Sequence, residues 1–176
     1  MPCNGPGGPG RLSGMGQEAP APLSTSGSDA RDDLEELFRA SWTGLVRLAT
    51  FLTGSVPTAE DLVQDAFARF GAKSDHPEDP TRYLRTSVVN ACRSHHRRRL
   101  VELRHRPGVA HPGIDQPGEL WDVLGRLSGR QRTAVVLRYY LDLPEEEIAA
   151  IVRCRPSTVR SLVQRGLARM REELSP

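Results

Sequence analysis

The stretch EEEIAAIVRCRPSTVRSLVQRGLARMREE, Glu145–Glu173, decides the fold of this chain. Ile148, Ala149 and Val152 share one face of a helix that its first residues can form. RCR then reads as a tight turn. Pro156 reads as the first residue of a second helix, where a missing N–H costs nothing. Along that helix Val159, Leu162, Val163, Gly166, Leu167 and Met170 recur at spacings of three and four, a second apolar face. Two amphipathic helices joined by a turn of about three or four residues have the proportions of a helix-turn-helix. Glu145–Glu147 fall in the first turn of the leading helix, where the macrodipole favours carboxylates. They read as capping charge rather than as metal ligands.

The polar face of the last helix carries Ser157, Thr158, Arg160, Ser161, Gln164 and Arg165. A plain helical hairpin with a solvated face would satisfy the same spacing. The charge does not fit that reading well. No acidic residue occurs from Pro156 to Arg171, while Arg160, Arg165, Arg169 and Arg171 do, and an exposed helix ordinarily mixes its signs. In a helix-turn-helix the N-terminal part of the second helix meets base edges in the major groove. There Arg suits guanine and Gln suits adenine, and Ser or Thr bonds base or phosphate.

Working outward, Ser128 and Gln131 form an S-x-x-Q capping box for a helix running to about Leu141. Leu120, Val123, Leu124 and Leu127 give a short helix before it. Residues 119–176 are therefore expected as one four-helix domain. Upstream, RHRPGVAHPGIDQPG holds three Pro and three Gly, so residues 101–118 read as a flexible linker. Extended, it spans at most about 55 Å, or about 16 base pairs of B-DNA. Residues 31–100 read as three amphipathic helices. The first runs from Arg31 to Leu52 with a stripe of Leu34, Leu37, Phe38, Trp42, Leu45, Val46, Ala49 and Leu52. Gly54 and Pro57 should break it, and Thr58 should cap the second helix, with Asp61 completing a capping box. Asp79 and Pro80 read as cap and first residue of the third helix. Residues 1–30 are expected to be a disordered tail: the first 28 hold seven Gly and five Pro, and only Arg11 and Glu18 are charged. No strand-like alternation occurs, so the fold class is all-α: two small helical domains and a linker.

The third helix continues into a basic run. Arg93, Arg97, Arg98, Arg99, Arg104 and Arg106 face a single acid, Glu102, with His95, His96 and His105 among them. A basic helix end favoured by the dipole would explain part of this; phosphate binding explains the whole excess. The net charge of +2 says little, because its distribution is what matters. No apolar run is long enough to span a membrane, and the N-terminus lacks the apolar core of a signal peptide. Cys3, Cys92 and Cys154 are odd in number and far apart, as expected of free thiols in the cytoplasm rather than of a disulfide or metal site. No catalytic triad spacing, phosphate loop or HExxH motif is present, so neither an enzyme nor a cofactor is expected.

Four motifs resemble the extracytoplasmic-function (ECF) sigma factors of the sigma-70 family, most closely the actinobacterial SigE type. They are AEDLVQDAFARF (Ala59–Phe70), YLRTSVVNACRSHHRRR (Tyr83–Arg99), LSGRQRTAVVLRYYLDLPEEEIAAIV (Leu127–Val152) and TVRSLVQRGLARMR (Thr158–Arg171). The resemblance implies a promoter-recognition subunit. Its first domain would be region 2, holding the β′ clamp helices of core RNA polymerase and opening the −10 element. Its second would be region 4, holding the β flap and reading the −35 element. Asp61, Gln64, Asp65 and Arg69 lie off the apolar stripe of the second helix and would meet polymerase. Asn90, Arg93, Arg97 and Arg98 would meet −10 DNA. Ser157, Thr158, Arg160, Ser161, Gln164 and Arg165 would meet −35 DNA. An anti-sigma factor is a further candidate partner. Tyr83 stands where the family often has Trp and is expected in the core.

Two departures from the family bear on the helix-turn-helix. Arg153 occupies a turn position that commonly holds Gly, and Arg155 replaces the usual Ser-like cap. The competing function is a helix-turn-helix regulator that acts without polymerase. It would account for Leu143–Arg171 but not for the first domain.

Overall fold

A computed structural model describes residues 29–73, 77–105 and 118–174. The tail (1–28), the middle of the loop before the third helix (74–76) and most of the expected linker (106–117) lie outside the described residues. So do Cys3, His76, Arg106 and His111 and the side chains of Arg104 and His105. Seven helices follow in order: α1 (Asp29–Thr53), α2 (Val56–Gly71), α3 (Pro80–His105), α4 (Glu119–Arg126), α5 (Gly129–Tyr139), α6 (Glu145–Val152) and α7 (Pro156–Leu174). The described residues contain no strand, in agreement with the all-α expectation.

The first three helices pack together around Leu48, Val63, Leu84, Val88 and Val89, all fully buried. Gly54 ends α1 at φ 81°, a left-handed conformation that only Gly adopts without strain. Pro57 does not act as a breaker. It sits in the first turn of α2, where no intrahelical N–H is required of it. The helix therefore starts at Val56, and Thr58, expected as its cap, lies inside it. The N-cap is Ser55, whose side chain makes no capping bond to the backbone; its hydroxyl accepts instead from Thr58 Oγ1 at 3.2 Å. The Asp79–Pro80 start of α3 is as expected: Asp79 Oδ1 accepts from the Arg82 backbone N–H at 2.8 Å. At its other end α3 continues to His105, five residues into the stretch read as linker. Val101–His105 contains no helix breaker, and Pro107 is the first.

In the second half α5, α6 and α4 each pack on α7. Both bonds of the Ser128–Gln131 capping box form, at 3.0 and 3.4 Å. Leu120, expected in the α4 stripe, is half exposed instead, while Val123, Leu124 and Leu127 are buried. Arg126 at the end of α4 is ion-paired with Glu173 near the end of α7.

The two halves close on each other. α1 and α3 touch α5, and α3 touches α6. Their buried residues form one continuous apolar cluster, from Leu45 to Val159. Phe51 of α1 stacks on Trp121 of α4 at 4.9 Å and tilts against Tyr140 at the same distance. Arg132 of α5 is buried at this junction. Its guanidinium donates to the carbonyls of Leu124 (2.8 Å), Gly125 (3.0 Å) and, across the junction, Leu52 (3.2 Å). Burial lowers its pKa without a compensating carboxylate; the carbonyl oxygens at the ends of α1 and α4 supply the acceptors instead.

Candidate nucleic-acid interface

The helix-turn-helix is formed as the spacing implied. Ile148, Ala149 and Val152 of α6 are buried with Val159 and Leu162 of α7, and Val163 is half-buried beside them. Arg153 takes the left-handed conformation between the helices, φ 55° and ψ 60°, the position that ordinarily calls for Gly. The cap of α7 is accounted for without a side chain. Pro156 has no N–H to satisfy, and the Arg155 carbonyl accepts from both Thr158 N (2.9 Å) and Val159 N (3.2 Å). Gly166 lets α7 approach α5: a Cβ there would lie 2.7 Å from Val135 Cγ2.

Of the residues expected at −35 DNA, Ser157, Arg160, Ser161, Gln164 and Arg165 are exposed on one face, and Thr158 is half-buried. Their readiness differs. Arg165 Nε donates to the Ser161 carbonyl at 3.1 Å, and Ser161 Oγ to the Ser157 carbonyl at 3.0 Å. Arg160 is held by Glu145 through a two-pronged pair, Nε to Oε1 at 3.1 Å and Nη2 to Oε2 at 2.8 Å. This pair lowers the Glu145 pKa and raises that of Arg160. Glu145, read as dipole-capping charge alone, therefore also orients the arginine at the head of the exposed polar face of α7. Glu147 departs further from that reading: it meets Arg85 at 3.3 Å and Arg82 at 3.9 Å across the junction.

On α3, Asn90, Arg93 and Arg97 line one cleft. Arg98 is exposed and is not among its lining residues. Arg93 is half-buried and its Nη1 reaches Asn90 Oδ1 at 3.5 Å. Its pKa is lowered by burial first and then by Arg130, with Arg153 and Arg97 adding to the repulsion. His95 is also half-buried, and burial followed by Arg99 lowers its pKa. Three of the four residues expected at −10 DNA thus face the second half of the chain.

Asp61, Gln64, Asp65 and Arg69 are all exposed along one side of α2. Among the described residues they form no ion pair with one another. Tyr83 is half-buried and packs against Phe70 at 5.8 Å, with Lys73 Nζ 5.0 Å above its ring. That is the core role expected of it. Cys92 is buried, which pushes its thiol pKa up to about 12, and Cys154 is half-buried. Among the described residues no group of His, Cys, Asp and Glu could hold a metal ion.

Periodicity did not point to the junction residues Arg132, Arg85, Phe51 and Trp121. The signal available for Arg132 was its place between Gln131 and the apolar run beginning at Ala134, on a helix side that must be buried.

Comparison with known proteins agrees with this geometry. Residues 37–100 match the family model of sigma-70 region 2, and residues 118–170 that of sigma-70, region 4. The chain is 34% identical over 152 residues to the RNA polymerase sigma-E factor of Streptomyces coelicolor, covering 81% of this chain and 86% of that protein. The sigma-E factor of Streptomyces avermitilis is 32% identical over the same length. Among solved structures, the sigma factor RpoE of Bartonella quintana, in complex with the anti-sigma factor NepR, superposes with a TM-score of 0.65. It is 28% identical, with 81% of this chain and 97% of that one covered. The extracytoplasmic-function sigma factor SigJ of Mycobacterium tuberculosis gives a TM-score of 0.57 at 27% identity, over 77% of this chain and 52% of that one.

The fold and the helix-turn-helix site define a sigma-70-type transcription factor. The chain belongs to the extracytoplasmic-function sigma factors of that family, which join core RNA polymerase and direct initiation at particular promoters. No described helix is long and apolar enough to cross a membrane.

Proposed function

We propose that residues 31–100 act as region 2 and residues 119–176 as region 4, on two separate promoter elements. The exposed side of α2, with Asp61, Gln64, Asp65 and Arg69, docks on the β′ clamp helices. The second half docks on the β flap and lays α7 into the −35 major groove, where Arg160, Gln164 and Arg165 meet base edges while Ser157, Thr158 and Ser161 fix register. Asn90, Arg93, Arg97 and Arg98 hold the opened −10 strand. The observation that carries this reading is α7. It is a helix-turn-helix second helix whose exposed face from Pro156 to Arg171 bears arginines, glutamine and hydroxyls but no carboxylate.

The closed junction supports a second element of the proposal. Asn90 and Arg93 turn toward α5 and the α6–α7 turn, so the halves must part before the −10 strand can reach them. An anti-sigma factor is a further partner we propose, supported by the likeness to a sigma factor solved with one. The work is placed in the cytoplasm with polymerase and DNA, and no catalytic step is assigned to the chain.

The test is transcription from a promoter library with the chain and core polymerase. Specific transcripts should appear only when both are present. Tight, sequence-specific duplex binding by the chain alone, with no effect on core enzyme, would instead identify a helix-turn-helix regulator independent of polymerase.

A further inference from the structure

The junction encloses a cleft of about 680 Å³ between α3 and the start of α5. Arg93 and Arg97 line it from the first half, and Arg130 and Arg153 from the second. No acidic residue is among its lining residues. Among the described residues Arg93, Arg97, Arg130 and Arg153 form no ion pair. The ion pairs at the same junction, Arg82–Glu147 and Arg85–Glu147, draw instead on arginines near the start of α3. Ser94, Ser128 and Thr133 add hydroxyls to the walls.

Closing the halves thus brings four guanidinium groups together with no carboxylate lining the cleft. At Arg93 the charge is disfavoured first by burial and then by Arg130, with Arg153 and Arg97 adding to the repulsion and Cys154 opposing it in part. A packed junction that gathers like charges is destabilised by them. An anion with several charges in a small volume would reverse that term, because each guanidinium offers a planar fork matched to phosphate oxygens. The volume falls in the range of small-molecule sites, roughly 300–1,000 Å³.

We propose that this cleft binds a short run of linked phosphates, as in inorganic polyphosphate or a nucleoside polyphosphate, and that the bound anion holds the two halves closed. Its arginines come from both halves, so the complete site exists only in the closed form. A ligand that binds one of two forms shifts the population toward it. The anion is therefore an inhibitor of promoter engagement, since Arg93 and Arg97 are engaged by it and Asn90 remains turned inward.

Binding of tripolyphosphate to the full chain, followed by calorimetry at fixed ionic strength without divalent cations, tests the site independently of transcription. The expected result is one saturable site per chain and a smaller radius of gyration in small-angle scattering. Sodium sulfate at matched ionic strength should do neither. The variant Arg130→Gln/Arg153→Gly changes an exposed residue and a left-handed position that suits Gly, so it should fold. It should bind tripolyphosphate at least about tenfold more weakly, the minimum for losing charged hydrogen bonds. ATP against adenosine separates the two sources of phosphate: ATP should compete with tripolyphosphate if nucleotides use the site, and adenosine should not. Equal binding by the double variant would overturn the proposal, as would equal effects of sulfate. So would preferential binding of a single-stranded deoxyoligonucleotide that tripolyphosphate does not displace, which would make the cleft a DNA groove. Loss of promoter activity with normal tripolyphosphate binding would count against the sigma reading alone.

Discussion

Arg85 of α3 and Glu147 of α6 meet at 3.3 Å across the junction between the two halves, with both side chains mostly withdrawn from solvent. The pair is one of the polar ties holding the two halves together, and Arg82 approaches the same carboxylate at 3.9 Å. Glu147→Gln removes the charge both arginines seek. It should cost about 1 kcal/mol of closure, a roughly fivefold shift toward the open form. Because opening frees the second half to reach the β flap while α2 docks on the β′ clamp helices, as proposed above, binding to core polymerase should strengthen by a similar factor. Small-angle scattering and a polymerase-binding titration check both effects; weaker polymerase binding by a folded Glu147→Gln protein would show that the junction is not in competition with polymerase.

Arg132 makes another polar tie, and it should matter more for stability. Arg132→Ala leaves the buried carbonyls of Leu52, Leu124 and Gly125 without their donors. Lost bonds to a charged group and stranded acceptors together should cost about 3 kcal/mol. Arg132→Lys should recover only part of it, since an ammonium cannot reproduce the planar fork. Urea denaturation of the three proteins measures the differences.

What the sequence disclosed was local, and what it concealed was long-range. The Ser128–Gln131 box and the Asp79–Pro80 start were readable because the partners lie within one helical turn and their chemistry is specific to that place. The helix-turn-helix was readable because both apolar faces must meet across a short turn. Pro57 was misread because a proline ends one helix and begins another with equal ease, and only the position of Ser55 separates the two. Phe51 and Trp121, or Arg85 and Glu147, are separated by tens of residues and by residues 106–117. Nothing in the period of either segment says which faces meet when two bundles dock. The exposed polar face of α7 was legible as a set of residues, but the hold of Glu145 on Arg160 was not, because those glutamates already had a sufficient reason to be where they are.

That hold makes Arg160 and Glu145 separable by mutation. Arg160→Ala should change −35 preference at one base pair by about tenfold or more, with other positions unaffected. Glu145→Gln should tighten binding to all duplexes, because a carboxylate is removed from beside the phosphates, and should steepen the salt dependence. The Glu145 pKa is depressed in the folded protein by Arg160. Its pairing is therefore present above the ordinary carboxylate pKa and lost as the pH falls through the lowered one. Acid should accordingly shrink the difference between the wild type and Glu145→Gln. Binding assays on a panel of single-base −35 variants, repeated at two salt concentrations, distinguish these outcomes.

Cys92 offers a check on the integrity of the first half. Burial pushes its thiol up to about 12, so almost no thiolate exists at neutral pH. In the native protein it should resist alkylation at pH 8, while urea should make it react at the rate of a free peptide thiol. Rapid native labelling at Cys92, mapped by mass spectrometry, would mean that α3 opens from α1 and α2 far more readily than its burial allows.

The close approach of α7 to α5 predicts a destabilising methyl group. A Cβ at Gly166 would sit 2.7 Å from Val135 Cγ2, a branched side chain that is itself buried. It cannot swing clear, so α7 must move or Val135 must leave its rotamer. Gly166→Ala should gain the usual helix preference for Ala, roughly 1 kcal/mol, and lose about 1–3 kcal/mol to overpacking, for a net loss. Adding Val135→Ala removes the obstructing methyl. The double variant should then be more stable than the sum of the single changes implies, by about 1 kcal/mol. A thermal melt of the four proteins closes the cycle. If Gly166→Ala proves stabilising on its own, the contact between α5 and α7 is looser than 2.7 Å requires, and α7 is seated by its apolar residues, such as Val159 and Leu162, rather than by the close approach at Gly166.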